Sequence, residues 1–315
     1  MHNVTVWDVD VLLEPMRFEI WGLSGTLHTQ HAHQMPYAQE RLWHWINAFD
    51  VACNRFRTDS EICHLNAQSG HPVAISETLE IAIGAALEAA SATNGLCDPT
   101  ILPALLALGY DRDFDDLVAR GTGSPGDAVP APGLSSIQLD REHHMVQLAP
   151  RCQIDLGASA KALIVDLVAD DIAPSGGVIV ELGGDVAVHG NSSEGPWAIG
   201  VSDSLMLTGM EPRISLTHGG VATSSTTARA WRAGDRIVHH IIDPRTGTSA
   251  VSPYATVSVS ATSCVMANAF ATAGLLWGED AGHHIAQAGW SARLVRHDGT
   301  REFVGGWPHE REVHA

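Results

Sequence analysis

Gly177-Val178-Ile179-Val180-Glu181-Leu182-Gly183-Gly184-Asp185 reads as an apolar strand that runs into a Gly-Gly-Asp turn and returns as a second strand to Gly190. Strands joined by so short a turn are antiparallel neighbours. Downstream, β-type runs recur at residues 197–201, 213–217, 220–224, 236–242 and 255–261, and residues 291–305 read as a closing hairpin around Asp298-Gly299. Residues 265–277 interrupt this series with a mostly apolar, buried helix, and residues 279–289 with another.

Upstream, the period changes. Residues 4–20 alternate loosely, as one or two strands do. Pro36 then precedes a helix in which Leu42, Trp45, Ile46 and Phe49 recur at i, i+3, i+4, i+7 and form a core face. A short helix begins near Asp59-Ser60, either of which can cap it. Ser76-Glu77 starts a long helix with Leu79, Ile83, Leu87 and Ala90 on one face, ended by Asn94-Gly95. A further helix starts near Thr100 or Pro103 and runs to Leu108-Gly109. Residues 137–154 alternate as two strands joined at Arg141-Glu142-His143-His144, where a solvated turn outweighs a metal site because no third ligand is near. Helices cluster early and strands late, so the class is α+β: a mixed or antiparallel β core flanked by helices. The expected arrangement is one domain over residues 1–315, with two intimately packed subdomains and a ligand cleft between them. The Gly/Pro-rich surface stretch 121–136 is the candidate subdomain boundary.

The chain has 315 residues, enough for a sizeable core. Its formal net charge of -18 argues against nucleic acid and against an anionic membrane surface. An anionic ligand would need local help from a metal, helix N-termini or backbone N–H groups. Five cysteines, none in a C-x-x-C pair, fit reduced thiols. The N-terminus lacks a basic and then apolar leader, and no run is long enough to span a bilayer, so a cytoplasmic protein without membrane insertion is expected.

Chemistry concentrates in Arg236-Ile237-Val238-His239-His240-Ile241-Ile242-Asp243-Pro244-Arg245-Thr246-Gly247 and in Met266-Ala267-Asn268-Ala269-Phe270-Ala271-Thr272. On a helix Asn268 and Thr272 are i, i+4 and face the same way. Two oxygen-bearing side chains there, near a histidine–carboxylate turn, suit a hard cation and the phosphates it holds. His240 beside Asp243 is a candidate base or orienter; His239 lies on the opposite strand face. Asp155-Leu156-Gly157-Ala158-Ser159-Ala160-Lys161 reads as a strand end, a glycine turn and a helix start, whose N–H groups and lysine favour phosphate. Asp98, before Pro99, is either a turn residue or part of a site, and Phe56 is either core or a ring that packs on a ligand.

Taken together and in order, these blocks resemble the ApbE family of FAD:protein FMN transferases. Asp59-Ser60-Glu61 with Leu65-Asn66 is similar to its S-E-L-x-x-L-N block, and residues 95–100 to G-x-F-D-P-T. Residues 155–161 resemble D-L-G-G-I-A-K-G. Gly183-Gly184-Asp185 matches G-G-D, residues 240–247 match H-I-I-D-P-x-T-G, and residues 267–272 resemble A-D-A-L-A-T. The resemblance spans residues 22–277. It implies a transferase that binds FAD and, with Mg2+, moves FMN to a Ser or Thr of a partner flavoprotein and releases AMP. It further implies flavin and phosphate contacts at Ser24, Phe56, Leu96, Cys97, Asp98, Asp155, Lys161 and Ile242. Metal contacts are implied at Ala158 (through its carbonyl), Asn268, Ala271 and Thr272; His240 and Asp243 stay the candidate catalytic pair on the chemistry of their turn.

Asn268 stands where the family carries aspartate, which removes a charge from the metal site. Ala158 and Ala162 replace glycines, and Ser24-Gly25-Thr26 lacks the methionine of the family's M-G-T block. Two alternatives follow: a FAD-binding or carrier protein with little turnover, and a pyrophosphatase giving FMN and AMP. A histidine-based metal hydrolase finds no H-E-x-x-H spacing.

Overall fold

The computed structural model describes residues 4–6, 14–120, 123–202 and 211–308. Its centre is a sheet of eight strands: β1 (Met16–Ile20), β2 (Leu23–Thr29), β3 (Val178–Leu182), β4 (Asp185–His189), β5 (His218–Ser225), β6 (Tyr254–Ala261), β7 (Ser291–Arg296) and β8 (Arg301–Val304). Their order across the sheet is their order in the chain, and every neighbouring pair is antiparallel. The sheet is therefore a meander, and the connections between its strands carry the rest of the molecule.

The β3–β4 hairpin turns on Gly183 and Gly184, at φ +62° and +94°. Two successive left-handed residues are strained for any side chain, which is why a Gly-Gly pair sits there.

The longest insertion leaves β2 and returns at β3. It holds α1 (Met35–Cys53), α2 (Glu61–Ala67), α3 (Glu77–Ala92), α4 (Leu102–Ala107), α5 (Phe114–Arg120) and α6 (Ala160–Ile172). It also holds a small sheet in which Met145–Leu148 pairs with both Pro72–Ala74 and Ile137–Asp140. In α1 the expected face is buried at Leu42, Ile46 and Phe49, while Trp45 is half-buried and donates through Nε1 to Asp171 at 2.7 Å. Ser60 caps α2, accepting from the Cys63 N–H, and Ser76 caps α3, accepting from the Leu79 N–H. Asn94 and Gly95, both left-handed, turn the chain off α3.

The expected strand end before Asp155 is absent: the chain is irregular from 152 to 156. The Asn66 side-chain amide takes the place of a sheet neighbour, donating to the Ile154 carbonyl at 2.9 Å and accepting its N–H at 2.8 Å. The run 236–242 is likewise divided. Arg236–His239 pairs with Ala230–Ala233, and Ile242–Asp243 with Thr248–Ser249, with a break at His240-Ile241. The stretch 123–133 has no regular structure but is tied down, by Gly126 N–H to the Ala107 carbonyl (2.7 Å) and Ala131 N–H to the Pro244 carbonyl (2.8 Å).

Helix α7 (Cys264–Trp277) packs on β5 and β6, and α8 (Ala281–Gln287) packs on α7. Contact with strands and helices on several sides explains why α7 is apolar almost all round. Two features bring it in close. A Cβ on Gly220 of β5 would stand 2.4 Å from the Cys264 backbone, so glycine is what permits the approach. Asp166 of α6 then accepts the Cys264 and Val265 N–H groups at 2.8 and 2.9 Å, capping the start of α7 with a carboxylate. On the other side of the sheet, Trp197, Ile199, Val201 and Ile214 from a small three-stranded sheet join Ile179, Val186, Val188 and Val221 in a second core.

Candidate functional site

A cavity of about 180 Å³ lies where the β2–β3 insertion meets the β3–β4 turn, β5, α7 and the 228–242 ribbon. Residues far apart in sequence converge on it. The helical insertion supplies Arg55, Phe56, Leu96, Cys97, Asp98, Tyr110, Asp155, Ala158 and Lys161. The strand side supplies Asp185, Ser224, Arg229, His240, Ile242, Asn268 and Thr272.

One wall is an ion-paired aromatic stack. Arg55 Nε meets Asp155 Oδ2 at 2.6 Å, and both side chains are nearly buried. The Arg55 guanidinium lies 4.0 Å from the centre of the Phe56 ring and 4.6 Å from that of Tyr110, and donates through Nη1 to the Tyr110 carbonyl at 2.8 Å. Phe56 thus packs on Tyr110 (centroids 5.8 Å apart) and faces the cavity as well. Asp98 is committed locally: Oδ1 accepts the Thr100 N–H at 2.7 Å and its hydroxyl at 2.6 Å. Burial pushes the Cys97 thiol up to about 12, with the Asp98 charge adding to it, so Cys97 is a neutral wall residue rather than a nucleophile.

The opposite wall is built on Asp185, which follows the Gly-Gly turn. Lys161 Nζ meets its Oδ2 at 2.5 Å, and Asn268 Nδ2 donates to its Oδ1 at 2.8 Å. The phosphate-attracting charge expected of Lys161 is therefore compensated within the protein. The bond to Asp185 uses the Asn268 amide nitrogen and leaves its Oδ1 as the free end. That oxygen is buried and has no hydrogen-bond partner among the described residues. Thr272, one turn on, bonds Ser224 through its hydroxyl at 2.9 Å, which ties α7 to β5 beside the cavity. A neutral buried oxygen without a donor is costly unless a cation or a donor meets it. Among the described residues no group of three or more His, Cys, Asp and Glu side chains is placed to hold a metal ion. The neutral oxygens of Asn268 and Thr272 are of the kind that a hard cation accepts beside ligand and water oxygens.

Behind this wall, burial pushes the Glu181 carboxyl up to about 7, although the Gly184 N–H at 2.8 Å and Thr26 favour its ionised form. The folded pKa lies above the ordinary value of 4.5, so the folded state holds the proton more tightly. Stability then falls as pH rises through that window. Glu181→Gln, which cannot ionise, should gain thermal stability relative to the wild type as pH is raised from about 5 to about 8. Parallel melting curves that stay equally spaced across this range would count against it.

Most sequence candidates line the cavity: Phe56, Leu96, Cys97, Asp98, Asp155, Ala158, Lys161, His240, Ile242, Asn268 and Thr272. Three do not. Ser24 is exposed on β2 and uses its carbonyl to accept the Gly183 N–H at 2.9 Å, steadying the Gly-Gly turn. Ala271 is buried in the core around α7. Asp243 turns to Arg245, whose backbone N–H and guanidinium bond its carboxylate at 2.7 to 3.0 Å and hold it below the usual carboxylate range. His239 faces away from the cavity side, with Nε2 3.1 Å from the Ala250 carbonyl, and burial keeps its pKa low. His143 and His144 sit in the expected turn, beside Asp140 and Glu80 respectively. Arg55, Tyr110, Asp185 and Arg229 were not among the sequence candidates. Asp185 was within reach of the Gly-Gly-Asp block; Arg55, adjacent to Phe56, carried no signal of its pairing with a carboxylate 100 residues later.

A family model described as the ApbE family matches residues 5–294. A FAD:protein FMN transferase of Vibrio cholerae is 26% identical over 257 residues, covering 79% of this chain and 77% of that one. The enzyme of the same name from Haemophilus influenzae is 26% identical over 243 residues, covering 74% and 70%. Among solved structures, an ApbE protein of Thermotoga maritima superposes with TM-score 0.75 at 23% identity, covering 92% of this chain and 96% of that one. The apo form of the Pseudomonas stutzeri flavinyl transferase ApbE does so with TM-score 0.75 at 21% identity, covering 92% and 93%. The α+β fold is thus the one these proteins share. No helix among the described residues is long and apolar enough to cross a membrane, and all five cysteines are free.

Proposed function

The chain belongs to the ApbE family, and on that premise we propose that it is a Mg2+-dependent FAD:protein FMN transferase acting on a Ser or Thr of a partner flavoprotein. The curated relatives bear that activity in their names. The observation that carries the reading to this chain is the buried, unpartnered Asn268 carbonyl oxygen on a cavity shared with Ala158, Lys161, Thr272 and His240.

Asn268 and Thr272, with the backbone oxygen of Ala158, would hold Mg2+. When bound, the ion neutralises charge on the pyrophosphate oxygens. The chain's own residues supply the rest. Arg55, clamped by Asp155, holds Phe56 and Tyr110 as a stacking surface for the flavin. Asp185 locks both Lys161 and Asn268 in place. His240 takes the proton of the acceptor hydroxyl. The hydroxyl oxygen bonds to the FMN phosphorus, the bond from that phosphorus to the bridging oxygen breaks, and AMP leaves. Asp243 acts at one remove, by fixing the turn that follows Ile242.

The test is incubation with FAD, Mg2+ and a candidate acceptor domain. AMP release together with a flavin-labelled acceptor is expected. Slow AMP and FMN formation without acceptor would reflect water in the acceptor's place. Because Asn268 brings no charge to the metal site, a flavin carrier is the second reading; FAD bound tightly, with no AMP under any condition, would select it. A protein that binds no FAD would end both.

A further inference from the structure

We propose that Arg229 is the residue that grips the phosphates of the dinucleotide, an inference that rests on the functional reading above. Three Lys or Arg side chains line the cavity: Arg55, Lys161 and Arg229. Arg55 is neutralised by Asp155 at 2.6 Å, and Lys161 by Asp185 at 2.5 Å. The guanidinium of Arg229 makes no ion pair and no hydrogen bond with the described residues. Its main-chain carbonyl accepts the His240 N–H at 3.3 Å, and its charge acts on Asp113 and Tyr110 without a hydrogen bond to either. In a chain where Asp and Glu number 36 against 18 Lys and Arg, an arginine on a cavity wall that no carboxylate bonds, with only the charge of Asp113 near it, is an exception to the protein's own balance.

Two physical points turn that exception into a role. An anionic ligand gains from a cation only to the extent that the protein has not already neutralised it, so Arg55 and Lys161 attract phosphate weakly in this arrangement. Guanidinium presents a flat fork of donors that fits two oxygens at once, which suits a pyrophosphate better than an ammonium does. Position agrees. Arg229 also lines the two adjoining spaces beside Asp113 and Phe114, so it stands where they open into the main cavity. Its backbone bond to His240 sets it next to the candidate base. Flanked by Ala228 and Ala230, it has no bulky neighbour in sequence to hold the guanidinium aside.

Equilibrium binding of FAD, FMN and riboflavin to the full chain separates this role from a purely structural one, because riboflavin carries the ring without phosphate. Arg229→Gln should weaken FAD and FMN about tenfold or more while riboflavin shifts less than about twofold. Arg229→Lys should lose less than Arg229→Gln for the phosphate-bearing ligands and leave riboflavin unchanged, and it decides the matter if the glutamine variant does not fold. Equal loss for all three flavins, or no loss for FAD, would overturn the inference while leaving the transferase reading intact. A wild-type protein that binds none of the three would overturn both.

Discussion

Changing His240 to alanine should lower the rate of FMN transfer by about 10²- to 10⁴-fold, the range lost with a general base, and leave FAD affinity nearly unchanged. His240 lies at the break between two short ribbons, with its ring on the cavity wall and its backbone N–H bonded to the Arg229 carbonyl. Neither Asp243, which is held by Arg245, nor Cys97, whose thiol is pushed up to about 12, is placed to accept the acceptor's proton. His239 is the internal control: its ring is engaged at the Ala250 carbonyl, so a change there should appear in the melting temperature before it appears in turnover. Single-turnover transfer measured beside FAD titration reads both quantities. Loss of binding in step with rate would recast His240 as a structural residue.

Replacing Asn268 with aspartate should produce opposite effects without and with metal. In the metal-free protein the new carboxylate would sit at the 2.8 Å contact that the amide now makes with Asp185. Lys161 would be the one cation pairing with these two acids, and the pair would ionise only at a cost. A loss of about 2 kcal/mol, read as a drop of roughly 4 °C in melting temperature, is expected. Adding Mg2+ should more than restore it, because the site then offers a charged oxygen where the wild type offers a neutral one. The metal-induced shift in melting temperature should exceed that of the wild type, and the Mg2+ concentration for half-maximal transfer should fall about tenfold. An aspartate variant with no greater response to Mg2+ than the parent would remove α7 from the metal site.

Both experiments probe contacts whose partners lie far apart in the chain. What could be read without coordinates was local. Apolar period and caps identified α1 and α3, and Ser60 and Ser76 do accept from the N–H groups three residues on. The Gly-Gly-Asp hairpin announced antiparallel pairing, and the i, i+4 spacing of Asn268 and Thr272 placed both on the cavity side of α7. These patterns are legible because helix and hairpin geometry depends on residues within a few positions of one another.

Partner choice among charged groups was not legible. Asp243 had His240 three residues away and turned to Arg245; Asp155 found Arg55, and Asp185 took both Lys161 and Asn268. An ionised side chain pairs with whatever opposite charge the packed backbone brings within about 4 Å, and spacing along the chain does not encode that distance. Local chemistry thus specified the elements and nominated the residues. Burial and long-range packing settled which cation is neutralised and which oxygen is left without a donor.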